Sequence, residues 1–159
     1  MLRRLNIKNG DELSILGFGC MRFPTKNGSI DEERSIALIR ECIHKGINYF
    51  DTAYFYNGGK SESILGKALQ GGYREKVKIA TKLPPFMVKK LDGAKSIFAT
   101  QLKKLQTDYI DYYLLHMLQD KAGFERLNNL GIIEWLEELK KEGIIRNIGF
   151  SFHGSRNDF

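Results

Sequence analysis

Short apolar runs rich in β-branched and aromatic residues alternate along this chain with longer stretches whose apolar positions fall three and four apart. The short runs lie at residues 16–18, 47–50, 77–81, 109–115 and 144–150, and runs of this kind between turn signals read as strands. Between them, Ile36, Ile39 and Ile43 mark the buried stripe of a helix over about residues 31–45. Ser29 with Glu32 opens that helix as a capping box, and Gly46 stops it. Ile64, Leu65, Ala68 and Leu69 mark a second helix from Ser61 to just before Gly71. Phe98, Leu102 and Leu105 mark a third over about 92–105, and Ile132, Leu136 and Leu139 a fourth over about 129–142. Lys140 and Lys141 oppose the fourth helix's C-terminal dipole, and Gly143 follows them. Pro84-Pro85 closes the third run, and residues 117–129 read as the largest loop. At the start, residues 2–8 and 13–16 flank Asn9-Gly10, a pair that tolerates the positive φ of a tight hairpin turn.

Strand and helix in strict alternation build a parallel sheet of βαβ units. Taking Gly19, Asp51, Lys82, His116 and Ser151 as strand ends, the repeat is 31 to 35 residues. Eight such units make a (β/α)8 TIM barrel of roughly 250 residues. The 159 residues hold four units and a fifth strand. The expected fold is therefore α/β, a partial TIM barrel with an N-terminal β-hairpin, as one domain over residues 1–159. A doubly wound open sheet competes with it, because periodicity does not reveal strand order. No G-x-G-x-x-G and no G-x-x-x-x-G-K-[ST] follows any strand, which removes the commonest reasons to prefer that sheet.

Composition narrows the classes. With 42% hydrophobic and 28% charged residues, the chain is of the soluble globular kind. The net charge of +6 comes without a dense basic run, so a solvated surface is expected and nucleic acid is not. Cys20 and Cys42 are too few for a disulfide framework or a four-ligand zinc site, and reduced thiols are expected. No apolar run approaches the ~18 residues of a membrane span, and none of signal-peptide length follows Met1. A cytoplasmic protein without membrane partners is expected.

Function in parallel sheets collects at the carboxyl ends of the strands. Those ends hold Asp51, Lys82 and His116, and Tyr56 follows Asp51 by five residues. Each alone has an ordinary reading: a helix cap for Asp51, aromatic packing for Tyr56, a satisfied core imidazole for His116. Lys82 is the hardest to treat so, because lysine is rarely buried without a partner. Together they compose a chemistry. A phenol, with a pKa of about 10, is a poor acid at neutral pH. A neighbouring ammonium stabilises phenolate, and a carboxylate holds the ammonium in place. An imidazole can orient a bound carbonyl oxygen or relay a proton. The set suits protonation of a carbonyl oxygen while a nicotinamide delivers hydride to its carbon.

In these residues the chain resembles the aldo-keto reductase family. Asp51-Thr52-Ala53-Tyr54-Phe55-Tyr56 is similar to the family's Asp-x-Ala-x-x-Tyr segment, and Ser61-Glu62 with Leu65-Gly66 to the helix after it. Ile79-Ala80-Thr81-Lys82 resembles the strand of the catalytic lysine, and the segment from Tyr109 to His116 the strand ending in the catalytic histidine. Residues 143–151 resemble the fifth strand. The resemblance implies NADP(H)-dependent reduction of an aldehyde or ketone, with NAD(H) also open. Tyr56 would be the general acid, Lys82 and Asp51 would tune it, and His116 would orient the carbonyl. Ser151 stands where a hydroxyl contacts the nicotinamide carboxamide, and Gly19 and Met21 correspond to a region lining the cofactor, beside Asp51.

Two departures qualify the resemblance. Many members have Asn after the serine; here Phe152 follows, and then His153, either a substitute or a surface residue. The Gly19–Pro24 run and Ser151-Phe152-His153-Gly154 resemble a bacterial subgroup whose longer members carry a ferredoxin-like iron–sulfur extension. This chain has no such cysteine cluster, so no iron–sulfur centre or metal is expected. The family has eight units, so the chain corresponds to its N-terminal half. A catalytically inactive fragment, or a non-catalytic scaffold or accessory protein on the same fold, are the alternatives. Open first and fifth strands, with Ile79, Ile148 and Phe150 expected as uncovered barrel-interior residues, imply self-association through the barrel edges.

Overall fold

The computed structural model describes residues 1–158. A hairpin of β1 (Arg3–Leu5) and β2 (Glu12–Ser14) comes first, then β3 (Phe18–Gly19). A second small hairpin, β4 (Thr25–Lys26) and β5 (Ser29–Ile30), leads into α1 (Glu32–His44). The chain continues through β6 (Tyr49–Asp51), α2 (Ser61–Ala68), β7 (Lys78–Leu83) and α3 (Leu91–Leu105). It closes with β8 (Ile110–Leu118), α4 (Lys121–Asn129), α5 (Ile132–Lys141) and β9 (Ile145–Phe152).

Strand order decides between the two architectures. The five-stranded sheet runs β3-β6-β7-β8-β9, every pair parallel and every neighbour consecutive. A doubly wound sheet reverses direction partway along its order; this one never does. The result is an arc of a (β/α)8 barrel, four βα units and a fifth strand.

Side-chain parity follows from the register. Asp51 pairs with Ala80, Lys82 with Leu114, and Leu114 with Gly149. Asp51, Lys82, His116 and Ser151 therefore share one face, the barrel interior. Ile79, Thr81, Tyr113 and Ile148 point the other way, toward the helices. This corrects the expectation that Ile79, Ile148 and Phe150 line an uncovered interior: they belong to the helix-facing side. Ile79 is fully buried there, Ile148 is partly buried, and Phe150 is about half exposed. The main core lies between sheet and helices, with Phe50, Ile64, Leu65, Leu83, Leu105, Tyr113 and Leu136.

Three further expectations change. The first hairpin closes through a six-residue loop at 6–11, not a two-residue turn, with Gly10 donating its N–H to Asn6 O at 2.8 Å. The cap of α1 is Asp31, whose carboxylate accepts from Arg34 N at 3.0 Å; Ser29 is instead committed to β5. Residues 121–129 form α4, not loop, with Asp120 accepting from Gly123 N at 2.7 Å and Leu127 fully buried.

Polar contacts tie the elements together at the end of the sheet opposite the strand carboxyl termini. Buried Asp111 accepts from Arg74 Nη2 at 2.8 Å, Ile79 N at 3.0 Å and Arg146 Nη1 at 3.1 Å. Asn9, from the hairpin loop, donates to Tyr112 Oη and Asn147 Oδ1 at 3.0 and 2.9 Å.

Candidate active site

The three strand-end residues Asp51, Lys82 and His116 converge with Tyr56. Lys82, 4% exposed, extends from β7 into the interior. Its Nζ lies 2.6 Å from Asp51 Oδ1, donates to Thr52 O at 2.8 Å and reaches Tyr56 Oη at 3.4 Å. The ammonium also stands 4.8 Å from the centre of the Tyr56 ring. Burying a cation costs several kcal/mol unless it is paired and hydrogen-bonded; here three oxygens surround it. Asp51 and Tyr56 remain partly open to solvent, so the cluster is wet on one side only.

Tyr56 owes its place to the loop that follows it. Asn57, Gly58 and Gly59 are all left-handed, with φ of 55°, 63° and 82°. Two glycines in sequence make that turn accessible, and Asn57 Nδ2 anchors it to Cys20 O at 2.8 Å. Phe55, just before, stacks on the His116 imidazole at 5.0 Å with the planes 12° apart. Tyr56 meets the same imidazole edge-on at 5.7 Å.

His116 is 4% exposed, and its Nδ1 has no hydrogen-bond partner among the described residues. Burial first, then the Lys82 charge and that of His153, push its pKa down to about 4. The imidazole is thus neutral at physiological pH, with one nitrogen to donate and one to accept.

Ser151 sits at the equivalent end of β9. Its Oγ accepts from Met117 N at 2.8 Å, across a register shift between β8 and β9. Met117 has φ of 56°, an uncommon conformation for a residue with a side chain. The bulge and its hydroxyl brace fix the backbone directly after His116. Gly19 pairs with Asp51 at the end of β3 and has open space where a Cβ would stand. Met21 is 54% exposed on the following loop. His153 is also exposed; its backbone N–H goes to Leu118 O at 2.7 Å.

A cavity of about 800 Å³ adjoins His116, walled by Pro85, Phe86 and Val88 after β7 and by Met117, Gln119 and Arg126 after β8. Arg126, from α4, ties the two walls by donating to Val88 O at 2.9 Å and Pro85 O at 2.7 Å. A second concavity of about 690 Å³, beside α4 and the end of β9, contains none of the four converging residues. Among the described residues no three His, Cys, Asp or Glu side chains gather as a metal site, and no helix is long and apolar enough to cross a membrane.

The structure thus brings Asp51, Tyr56, Lys82 and His116 into one cluster and sets Ser151 beside its backbone. Gly19 and Met21 lie at its edge. Sequence reasoning missed the Thr52 carbonyl, which no side-chain pattern announces, and the Phe55 stack. It also missed a buried polar network at Glu62, Thr81 and Gln101, for which a glutamate amid Ile64, Leu65 and Ala68 was the available signal.

Residues 15–157 match the model of the aldo/keto reductase family. The chain is 36% identical over 151 residues to a probable aldo-keto reductase 1 of Glycine max, covering 89% of this chain and 42% of that protein. It is 34% identical to an uncharacterized oxidoreductase, YqkF, of Bacillus subtilis, covering 94% and 49%. Among solved structures, the holo form of aldo-keto reductase AKR11C1 from Bacillus halodurans superposes with a TM-score of 0.79 at 34% identity, covering 96% of this chain and 50% of that one. An aldo-keto reductase from Klebsiella pneumoniae, in complex with NADPH, gives 0.79 at 26% identity, covering 99% and 52%. The chain spans about half the length of the curated relatives it matches.

Proposed function

This chain belongs to the aldo/keto reductase family, and we propose that it serves the nicotinamide-dependent reduction of a small aldehyde or ketone to an alcohol, with Tyr56 as proton donor. The observation that carries this reading is the Lys82 ammonium, held 2.6 Å from Asp51 and 3.4 Å from the Tyr56 hydroxyl. The ammonium would stabilise the negative charge that develops on the Tyr56 oxygen as it gives its proton to a carbonyl oxygen. Asp51 and the Thr52 carbonyl keep the ammonium from moving toward solvent. Neutral His116 supplies an N–H to the same oxygen and orients it. Phe55 and Phe86, with ring centres 5.5 Å apart, give the carbonyl's carbon framework an apolar flank.

The residues present fit a nicotinamide. Gly19 leaves room where any other residue would project a Cβ, and Ser151 accepts from Met117 while keeping its own proton to donate. Together with Met21 and Asp51, these are the groups that would hold the nicotinamide end. NADP(H) is the cofactor proposed, since related structures are complexes with NADPH and with NADP, and NAD(H) is the alternative. When bound, it supplies the hydride that the protein's own side chains cannot. We propose a cytoplasmic location, where the thiols of Cys20 and Cys42 would stay reduced.

The test is oxidation of NADPH by benzaldehyde, followed as loss of the cofactor's near-ultraviolet absorbance. Turnover by the wild-type chain that is lost in Tyr56→Phe supports the assignment. Equal turnover by both proteins refutes the role of Tyr56.

A further inference from the structure

Glu62 is the one carboxylic acid in α2, and it is completely buried. Burying an acid is costly unless hydrogen bonds compensate for lost water, and an apolar residue would pack the same space more cheaply. Its contacts explain what it does there. Oε1 accepts from Thr81 Oγ1 at 2.7 Å and from Gln101 Nε2 at 2.7 Å. Gln101 Nε2 also faces Lys82 O at 3.1 Å, and Tyr113 Oη donates to Gln101 Oε1 at 2.7 Å, fixing which way the amide points. The carboxyl therefore grips β7 from the helix side at Thr81 and, through Gln101, at the backbone of Lys82. Its other oxygen, Oε2, lies 3.8 Å from Lys104 Nζ. That ammonium stands 4.4 Å from the centre of the Tyr54 ring, in the loop leading to Tyr56. Burial raises the Glu62 pKa, consistent with a carboxyl that works through hydrogen bonds more than through charge.

The preceding residue acts on the other side of the same lysine. Ser61 Oγ donates to Cys20 O at 2.8 Å and receives Thr52 Oγ1 at 2.8 Å. Thr52 O is one of the three oxygens around Lys82 Nζ. The first turn of α2 thus holds both the strand from which Lys82 projects and the backbone that receives its ammonium.

We propose that Glu62 is a positioning residue: it sets Lys82 against Tyr56 by fixing Thr81 and the Lys82 backbone from behind the sheet. The proposal rests on the reading that Lys82 and Tyr56 form the proton-donating pair. Misplacing a catalytic group by about 1 Å can cost on the order of 100-fold in rate. Because the network touches neither substrate nor cofactor, the loss should fall on kcat and leave KM nearly unchanged.

The test uses the full 159-residue chain, isotope-labelled at lysine Cε, with Lys82→Met identifying the Lys82 resonance. Glu62→Ala is expected to displace or broaden that resonance and to lower kcat for benzaldehyde about tenfold or more, with KM within about twofold. Glu62→Gln retains an acceptor oxygen at the same place and should restore both. A folded Glu62→Ala protein with a wild-type Lys82 resonance overturns the proposal. Should that variant fail to fold, Thr81→Val removes one hydroxyl without changing shape, and an unmoved resonance there overturns it equally. If the wild-type chain reduces no aldehyde, the functional reading fails by itself, and the lysine resonance still decides the positioning role.

Discussion

His116 makes the site's electrostatics measurable without any substrate. Its imidazole, 4% exposed and beside the Lys82 ammonium, has its pKa pushed from 6.5 to about 4. In the unfolded chain it protonates near its ordinary value. A histidine depressed on folding contributes stability that is fully present above about pH 6.5 and is lost as pH falls toward the folded value. Each pKa unit is worth about 1.4 kcal/mol, so the loss between about pH 7 and pH 4 is roughly 3 kcal/mol. That is a large fraction of the ~5–15 kcal/mol that keeps a domain folded. The perturbation is His116→Leu, which fills similar space and cannot protonate. Urea unfolding of both proteins, followed by far-ultraviolet circular dichroism at about pH 7 and about pH 4.5, reads the effect. With a slope of ~1–3 kcal/mol per molar, the wild type should lose roughly 1–2 M more in midpoint than the variant. The other shifted carboxyls, Asp11 and Glu62 among them, titrate in both proteins and drop out of the difference. Equal midpoint losses would show that His116 is not held neutral by its surroundings, and the electrostatic account of the site would fall with it.

The remaining expectations are briefer. Tyr56→Phe should reduce carbonyl turnover by ~10²–10⁴ with an unchanged melting temperature, because the ring keeps its packing on His116 and Phe55. Lys82→Met should impair turnover and also lower stability by roughly 1–3 kcal/mol in thermal unfolding, since it strands the Asp51 carboxylate. Gly66→Ala should destabilise by roughly 1–3 kcal/mol in the same assay, despite alanine's better helix propensity; an added Cβ would stand 2.4 Å from Lys104 O. The isolated chain should self-associate through β3 and β9, each paired on one side only among the described residues, and bind NADPH weakly. Size-exclusion chromatography with a cofactor-fluorescence titration checks this, and a compact monomer with micromolar affinity contradicts it.

Most of the fold could be read from residue spacing because each βα unit carries its own local signals. Ile39 and Ile43 sit at helical spacing and are buried in α1, and the run at 77–81 overlaps the largely buried strand β7. The cap of α1 turns on a second local signal. Lys26-Asn27-Gly28-Ser29 is an Asn-Gly hairpin turn as plain as Asn9-Gly10; Asn27 and Gly28 take φ of 52° and 76°. Committing Ser29 to that hairpin hands the helix cap to Asp31. Residues 121–129 escaped because Gly123 and the polar pair Asn128-Asn129 weaken helix propensity. The Asp120 cap, the burial of Leu127, the Lys121–Glu125 pair and the bonds from Arg126 to Val88 O and Pro85 O hold α4 in place. Strand order was beyond any periodicity, since it is decided by which edges meet across the whole sheet.

The site divides along a different line, between one face of the sheet and the other. Asp51, Lys82 and His116 are legible as a set: each alone has an ordinary structural reading, and only Lys82 resists it, because lysine is rarely buried without a partner. Counting outward from Lys82 by twos would have placed Ala80 inside the barrel and Ile79 and Thr81 outside it. That parity assigns Ile79 to the core rather than to an exposed interior, and sends the Thr81 hydroxyl toward α2. A hydroxyl buried between strand and helix needs an acceptor, and α2 offers one acid, Glu62, in its first turn. The network behind the lysine follows from parity and hydrogen-bond accounting, without reference to any reaction. The cluster draws on both faces: Lys82 meets Tyr56 inside the barrel while its own backbone is held from outside.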